Sequence, residues 1–150
     1  AGNSASGVVA IGHEALESCT GSNNTDVGSS AMFYNVGGAS NVAVGYNALY
    51  SNITGSSNVA LGYKALTDIT VGANNVAVGP NAAAYMNNSS FNVSIGNQAM
   101  YNGSYADYNI AGRFAGRQIF LPPIPLQQDT SHSNFLWRSR RLLQLLKLSC

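Results

Sequence analysis

The chain has 150 residues, enough for one ordinary domain, and its net charge of +1 argues against a polyanionic partner such as nucleic acid. Charged residues make up only 9%, far below the roughly 25% usual in soluble domains, so Asn, Ser, Gly and Ala supply the polarity and the small volume. No apolar run is long enough for a transmembrane helix, and Cys19 and Cys150 form neither a disulfide framework nor a metal-ligand spacing.

One pattern fills most of the chain. Asn41-Val-Ala-Val-Gly45-Tyr-Asn-Ala-Leu49 returns as Asn58-Val-Ala-Leu-Gly62-Tyr-Lys-Ala-Leu66, then in altered form from Asn75 through Gly79 and from Asn92 through Gly96. Weaker copies centre on Gly12, Gly28 and Gly112, and the seven glycines step by 16, 17, 17, 17, 17 and 16 residues. A fixed period this short predicts an all-β parallel β-solenoid of about 17 residues per coil and six to seven coils.

Within a coil, the residues one and three before the glycine are mostly Val, Ile or Leu, and they share the parity of one strand face. In the last copy these positions are Ala111 and Asn109. The residue between them is usually Ala, which suits the opposite face under close cover. A five-residue strand with its Val columns inward is expected, and a bend at the glycine. Three residues past the glycine comes a column of Ala15, Ala31, Ala48, Ala65, Ala82, Ala99 and Ala115, followed by Leu16, Met32, Leu49, Leu66, Ala83, Met100 and Gly116. One of these two columns is expected inward and the other against a neighbouring surface. A second turn falls near Gly21, Gly38, Gly55 and Gly72, giving two short strands and two turns per coil. The Asn column (Asn24, Asn41, Asn58, Asn75, Asn92) is expected to hydrogen-bond up the stack as an amide ladder. A core of Val and Ala is thin, so the rod is expected to pack against copies of itself. Ala48, Ala65, Ala82 and Ala99 are the candidate self-association face.

This repeat resembles the head repeats of trimeric autotransporter adhesins, and is also similar to Asn-rich repeats of virus and phage tail fibres. The resemblance covers about residues 8–116 and implies a left-handed β-roll with three chains side by side. It also implies an extracellular, cell-surface or virion-surface location. This repeat is longer than the usual adhesin-head repeat, and neither a membrane-anchor barrel nor a long coiled-coil stalk is recognisable.

After Gly116 the pattern stops. Residues 117–150 contain no Gly, all but one of the prolines and the single Trp, Trp137. Residues 1–112 carry a balance of −4 and residues 113–150 one of +5. The reading is therefore a β-roll domain over 1–116 and a basic tail over 117–150, irregular or helical. A cap on the open solenoid, a membrane-surface or partner helix, and an incidental tail are the three roles open to it, with membrane contact the least favoured.

Catalytic and cofactor patterns are missing from the sequence. His13 and His132 lie in different regions, Glu14 and Glu17 read as a solvated face, and no phosphate-binding glycine loop or calcium nonapeptide occurs. No enzyme activity, metal or cofactor is expected. Tyr46 and Tyr63, in successive coils, and Tyr50 and Tyr101, in another outer column, are the candidate contacts for a glycan or host surface. The functional expectation is a structural extracellular fibre or adhesin-like segment, assembling as a homotrimer or filament. A receptor-binding shaft of a virus or phage fibre and an end-to-end stacked filament are the alternatives.

Overall fold

A computed structural model describes residues 5–101, 107–114 and 117–121. The strands are β1 (Val9–Ile11), β2 (Thr25–Val27), β3 (Val42–Val44), β4 (Val59–Leu61), β5 (Val76–Val78), β6 (Val93–Ile95), β7 (Ile110–Phe114) and β8 (Arg117–Leu121). They form one sheet in chain order, parallel from β1 to β7. The chain is thus a parallel β-solenoid of about 17 residues per turn. Each complete coil holds one three-residue strand rather than the expected two, and the rest is turn.

The turns are nevertheless hydrogen-bonded from coil to coil. The Leu49 N–H donates to the Ala65 carbonyl (2.9 Å), and the Leu66 N–H to the Ala82 carbonyl (3.0 Å). Lys64 N–H donates back to the Tyr46 carbonyl at 2.9 Å. Backbone pairing therefore runs around most of each coil, as burial of so much main chain requires.

The buried Asn side chains tie this ladder together. Asn58 Nδ2 reaches across its own coil to the Gly72 carbonyl at 2.8 Å. Its Oδ1 accepts the backbone N–H of Asn75 in the next coil at 3.0 Å. Asn24, Asn41 and Asn75 make the same pair of contacts. The expected ladder is present, but its rungs are mainly side chain to backbone. It also extends to Asn109, whose N–H donates to Asn92 Oδ1 at 2.8 Å.

That last rung corrects the register at the end. Ile95 pairs with Gly112, so Arg113 occupies the glycine's position and Gly112 is not the repeat glycine. The final step is therefore 17 residues, held there by the Asn92–Asn109 bond. Ala115 and Gly116 lie outside the described residues. The chain then reverses, and β8 pairs antiparallel with β7. The sheet thus takes in 117–121, which sequence assigned to the tail, while residues 122–150 lie outside the described residues.

The faces are opposite to those expected. The small residues between the Val columns point inward: Ala43, Ala60 and Ala77 are fully buried. The Val, Ile and Leu columns point outward and are exposed or half-buried. The core is filled from the turns, by Ala31, Ala48, Ala65 and Ala82 together with Met32, Leu49, Leu66 and Met100, all fully buried. Two consecutive residues face inward because the second is left-handed (Leu49 φ 55°, Leu66 φ 50°), which breaks the alternation of an extended strand. The same constraint explains that column's composition. Positive φ is strained for any residue with a Cβ, and the unbranched Cβ of Leu, Met and Ala adds less crowding there than a β-branched one would.

Two outcomes follow. Leu66→Ile conserves volume but places a β-branched residue at φ 50°, so it is expected to destabilise by about 1–3 kcal/mol beyond the repacking effect. Leu61→Ile, on strand β4, is expected to be nearly neutral, and denaturant unfolding of the two variants makes the comparison. Asn58→Ala strands the Asn75 N–H and the Gly72 carbonyl, at about 1–3 kcal/mol each, and a thermal melt will register the loss.

Candidate functional site: an outward apolar face

Inward placement of Ala leaves the larger β-branched residues to the surface. The two outward columns are Val9, Thr25, Val42, Val59, Val76, Val93, Ile110 and Ile11, Val27, Val44, Leu61, Val78, Ile95, Gly112. Only Thr25 and Gly112 interrupt their apolar character. Ile119 and Leu121 on β8 are exposed, and with Val93, Ile95 and Ile110 they line an entirely apolar hollow at the C-terminal end of the face. Monomeric proteins rarely expose a contiguous apolar patch beyond a few hundred Å². Here the apolar columns recur once per coil along the whole parallel sheet.

The expected self-association face is corrected by the same geometry. Ala48, Ala65, Ala82 and Ala99 are each 0% exposed in the single chain, so no second molecule can touch them. A methyl group is what the tight interior turn admits, which is why that column does not vary. The signal that would have revealed the outward face was the size contrast within each strand. Val–Ala–Val puts its bulky residues on one side and its small ones on the other, and a narrow coil has room inside only for the small ones.

The structural residues from sequence are brought together as stacked columns. Gly45, Gly62, Gly79 and Gly96 superpose with positive φ, and a Cβ on Gly45 would lie 2.6 Å from the Gly62 carbonyl oxygen. Gly12 and Gly28 share that conformation. The Tyr candidates divide between two places. Tyr46 and Tyr63 stack on each other, ring centres 5.6 Å apart, beside the glycine bend. Tyr50 stacks on Phe33 and also meets Tyr34, while Tyr101 packs edge-on against Tyr85. Hydroxyl contact with Tyr34 pushes the Tyr50 phenol above its ordinary value, and contact with Tyr101 does the same to Tyr85. Sequence reasoning did not single out the stacked pair Phe91–Tyr108 (4.8 Å), which lies just ahead of the Asn column.

Titratable groups are scattered. His13 Nδ1 lies 3.6 Å from a Glu14 carboxylate oxygen on the exposed surface, while Cys19 is buried and bonded to Asn24 and the Gly21 carbonyl. Among the described residues, no three of His, Cys, Asp or Glu gather into a set that would hold a metal. Nor is any helix there long and apolar enough to cross a membrane. Comparison with protein-family models, with curated proteins and with solved structures returned no match.

The two faces respond differently to substitution. Ala65→Leu overpacks the interior and is expected to destabilise the fold by about 1–3 kcal/mol. The loss should not vary with protein concentration. A loss that disappears on raising concentration would instead return Ala65 to an interface.

Proposed function

We propose that the chain is a structural, extracellular fibre or adhesin-like segment that assembles with copies of itself through the outward Val/Ile face, and that it has no catalytic role. The observation that carries this reading is the apolar face itself, which runs from β1 to β8 with breaks only at Thr25 and Gly112 and is uncovered in the single chain. Its partner is a second copy because of periodicity. The side chains recur once per coil at the parallel-strand spacing of about 4.8 Å. Another solenoid of the same rise meets them in register at every level, whereas an irregular partner matches only a few. The resemblance of the repeat to adhesin heads favours three chains side by side.

End-to-end stacking is a second reading with one observation in its favour. All three residues of β1 are exposed, including Ala10 of the otherwise buried column, so among the described residues β1 is an unpaired parallel edge. The antiparallel β8 at the other end works against it, since a parallel coil cannot continue in register from a reversed strand.

Sedimentation velocity over a range of concentrations separates these readings. The wild type is expected to sediment as a discrete oligomer, with trimer the leading value. Val59→Lys combined with Val78→Lys is expected to give a monomer with an unchanged far-ultraviolet spectrum. A monodisperse wild-type monomer at tens of micromolar would reject the proposal, and long filaments by electron microscopy would favour end stacking.

A further inference from the structure

The inward column of the strands is Ala10, Asp26, Ala43, Ala60, Ala77, Ser94 and Ala111. Ser94 satisfies its hydroxyl by donating to the Ala99 carbonyl at 2.7 Å. Asp26 has no such outlet. It is 0% exposed, and its carboxylate has no hydrogen bond of normal geometry, only a weaker interaction with the Leu16 backbone that does not offset burial. Its strand neighbours are Ala10 above and Ala43 below.

No counter-charge compensates for this position. His13, Glu14 and Glu17 of the first coil are solvent-exposed. From its own and the neighbouring coils the buried groups are the Cys19 thiol and the neutral amides of Asn24, Asn35 and Asn41. Among the described residues the only ion pair is His13–Glu14. An ionised carboxylate in such a place is strongly disfavoured. Burial accordingly pushes the Asp26 carboxyl up to about 7, against a weaker opposing pull from the Leu16 backbone.

Among the described residues, the coil over Asp26 is the one supported from a single side. β1 has one neighbour, β2, and all three of its residues are exposed. The position of the Asn ladder is taken there by Val8, so the first coil lacks the clasp that closes the later ones. It is held mainly by backbone bonds, including Val9 N–H to the Asn24 carbonyl (2.9 Å), Gly28 N–H to Ile11 (2.7 Å) and Ser30 N–H to His13 (2.8 Å).

We propose that Asp26 makes the first coil a proton-controlled latch: the coil closes over protonated Asp26 and opens to hydrate the ionised carboxylate. The closed form binds the proton more tightly than the open form. Closing is therefore strongest below the ordinary Asp value near 3.8, weakens as pH rises, and levels off above about 7. Opening would leave a charged, inward-pointing Asp on the new end strand β2, which discourages edge-to-edge pairing there.

Amide hydrogen exchange on the full chain, corrected for the intrinsic pH dependence of exchange, tests this. Protection of the Gly28 and Ser30 amides is expected to fall about 100-fold between pH 5 and pH 8. The Val76 and Gly79 amides, bonded to Asn92 and Leu61, are expected to hold constant. Asp26→Asn keeps the shape and removes the titration, and Asp26→Ala restores the residue of the other coils; both are expected to give flat profiles. A flat wild-type profile, a fall that persists in either variant, or an equal fall at Val76 and Gly79 would each overturn the latch.

Discussion

Asn24, Asn41, Asn58 and Asn75 of the main buried column each act in two directions at once. The amide nitrogen closes its own coil against a carbonyl 14 residues ahead, and the amide oxygen receives the backbone N–H that begins the next coil. The first contact sets the circumference and the second sets the register. Because both are buried, losing either leaves a polar group without water or partner, at about 1–3 kcal/mol. The parallel pairing of β1 to β7, the stacking of the glycines and the shape of the interior all depend on that fixed circumference. At the C-terminal end the Asn92–Asn109 bond outranks the glycine spacing, and Arg113 falls where a glycine is expected.

A small circumference leaves little interior, and the composition follows from that. Ala is admitted where strand and turn face each other. Leu and Met fill the remaining space from left-handed turn positions that β-branched residues avoid. The β-branched residues, suited to strands but too large for the inside, are displaced to the outer surface. An apolar exterior is therefore a consequence of closing so narrow a coil on Asn and Ala. It gives the rod a regular apolar face that repeats once per coil.

The ends of the solenoid differ in a way the middle does not. At the C-terminal end the chain turns back on itself, and β8 covers the β7 edge with a reversed strand. On the N-terminal side of the described sheet the first coil lacks the Asn clasp and lies over a buried carboxylate that has no counter-charge. Coils in the interior are supported on both sides, so a defect there is shared between two neighbours.

Sequence alone carried the period, the solenoid class, a length of six to seven coils and the Asn column, because repetition at fixed spacing survives without knowledge of any contact. It could also show that two strand columns share a face. Which face was inside was not contained in that parity, since Val-Ala-Val alternates equally well in either sense. The choice came from closure. Once the Asn side chains reached their carbonyls, the enclosed space admitted Ala43, Ala60 and Ala77 but not their Val neighbours. The inward pairing of Ala with Leu or Met likewise depended on left-handed φ values at non-glycine residues, which no period reveals. The repeat was therefore written in the sequence, whereas the sidedness of the rod, and with it the surface offered to a partner, was decided by the volume left inside the closed coil.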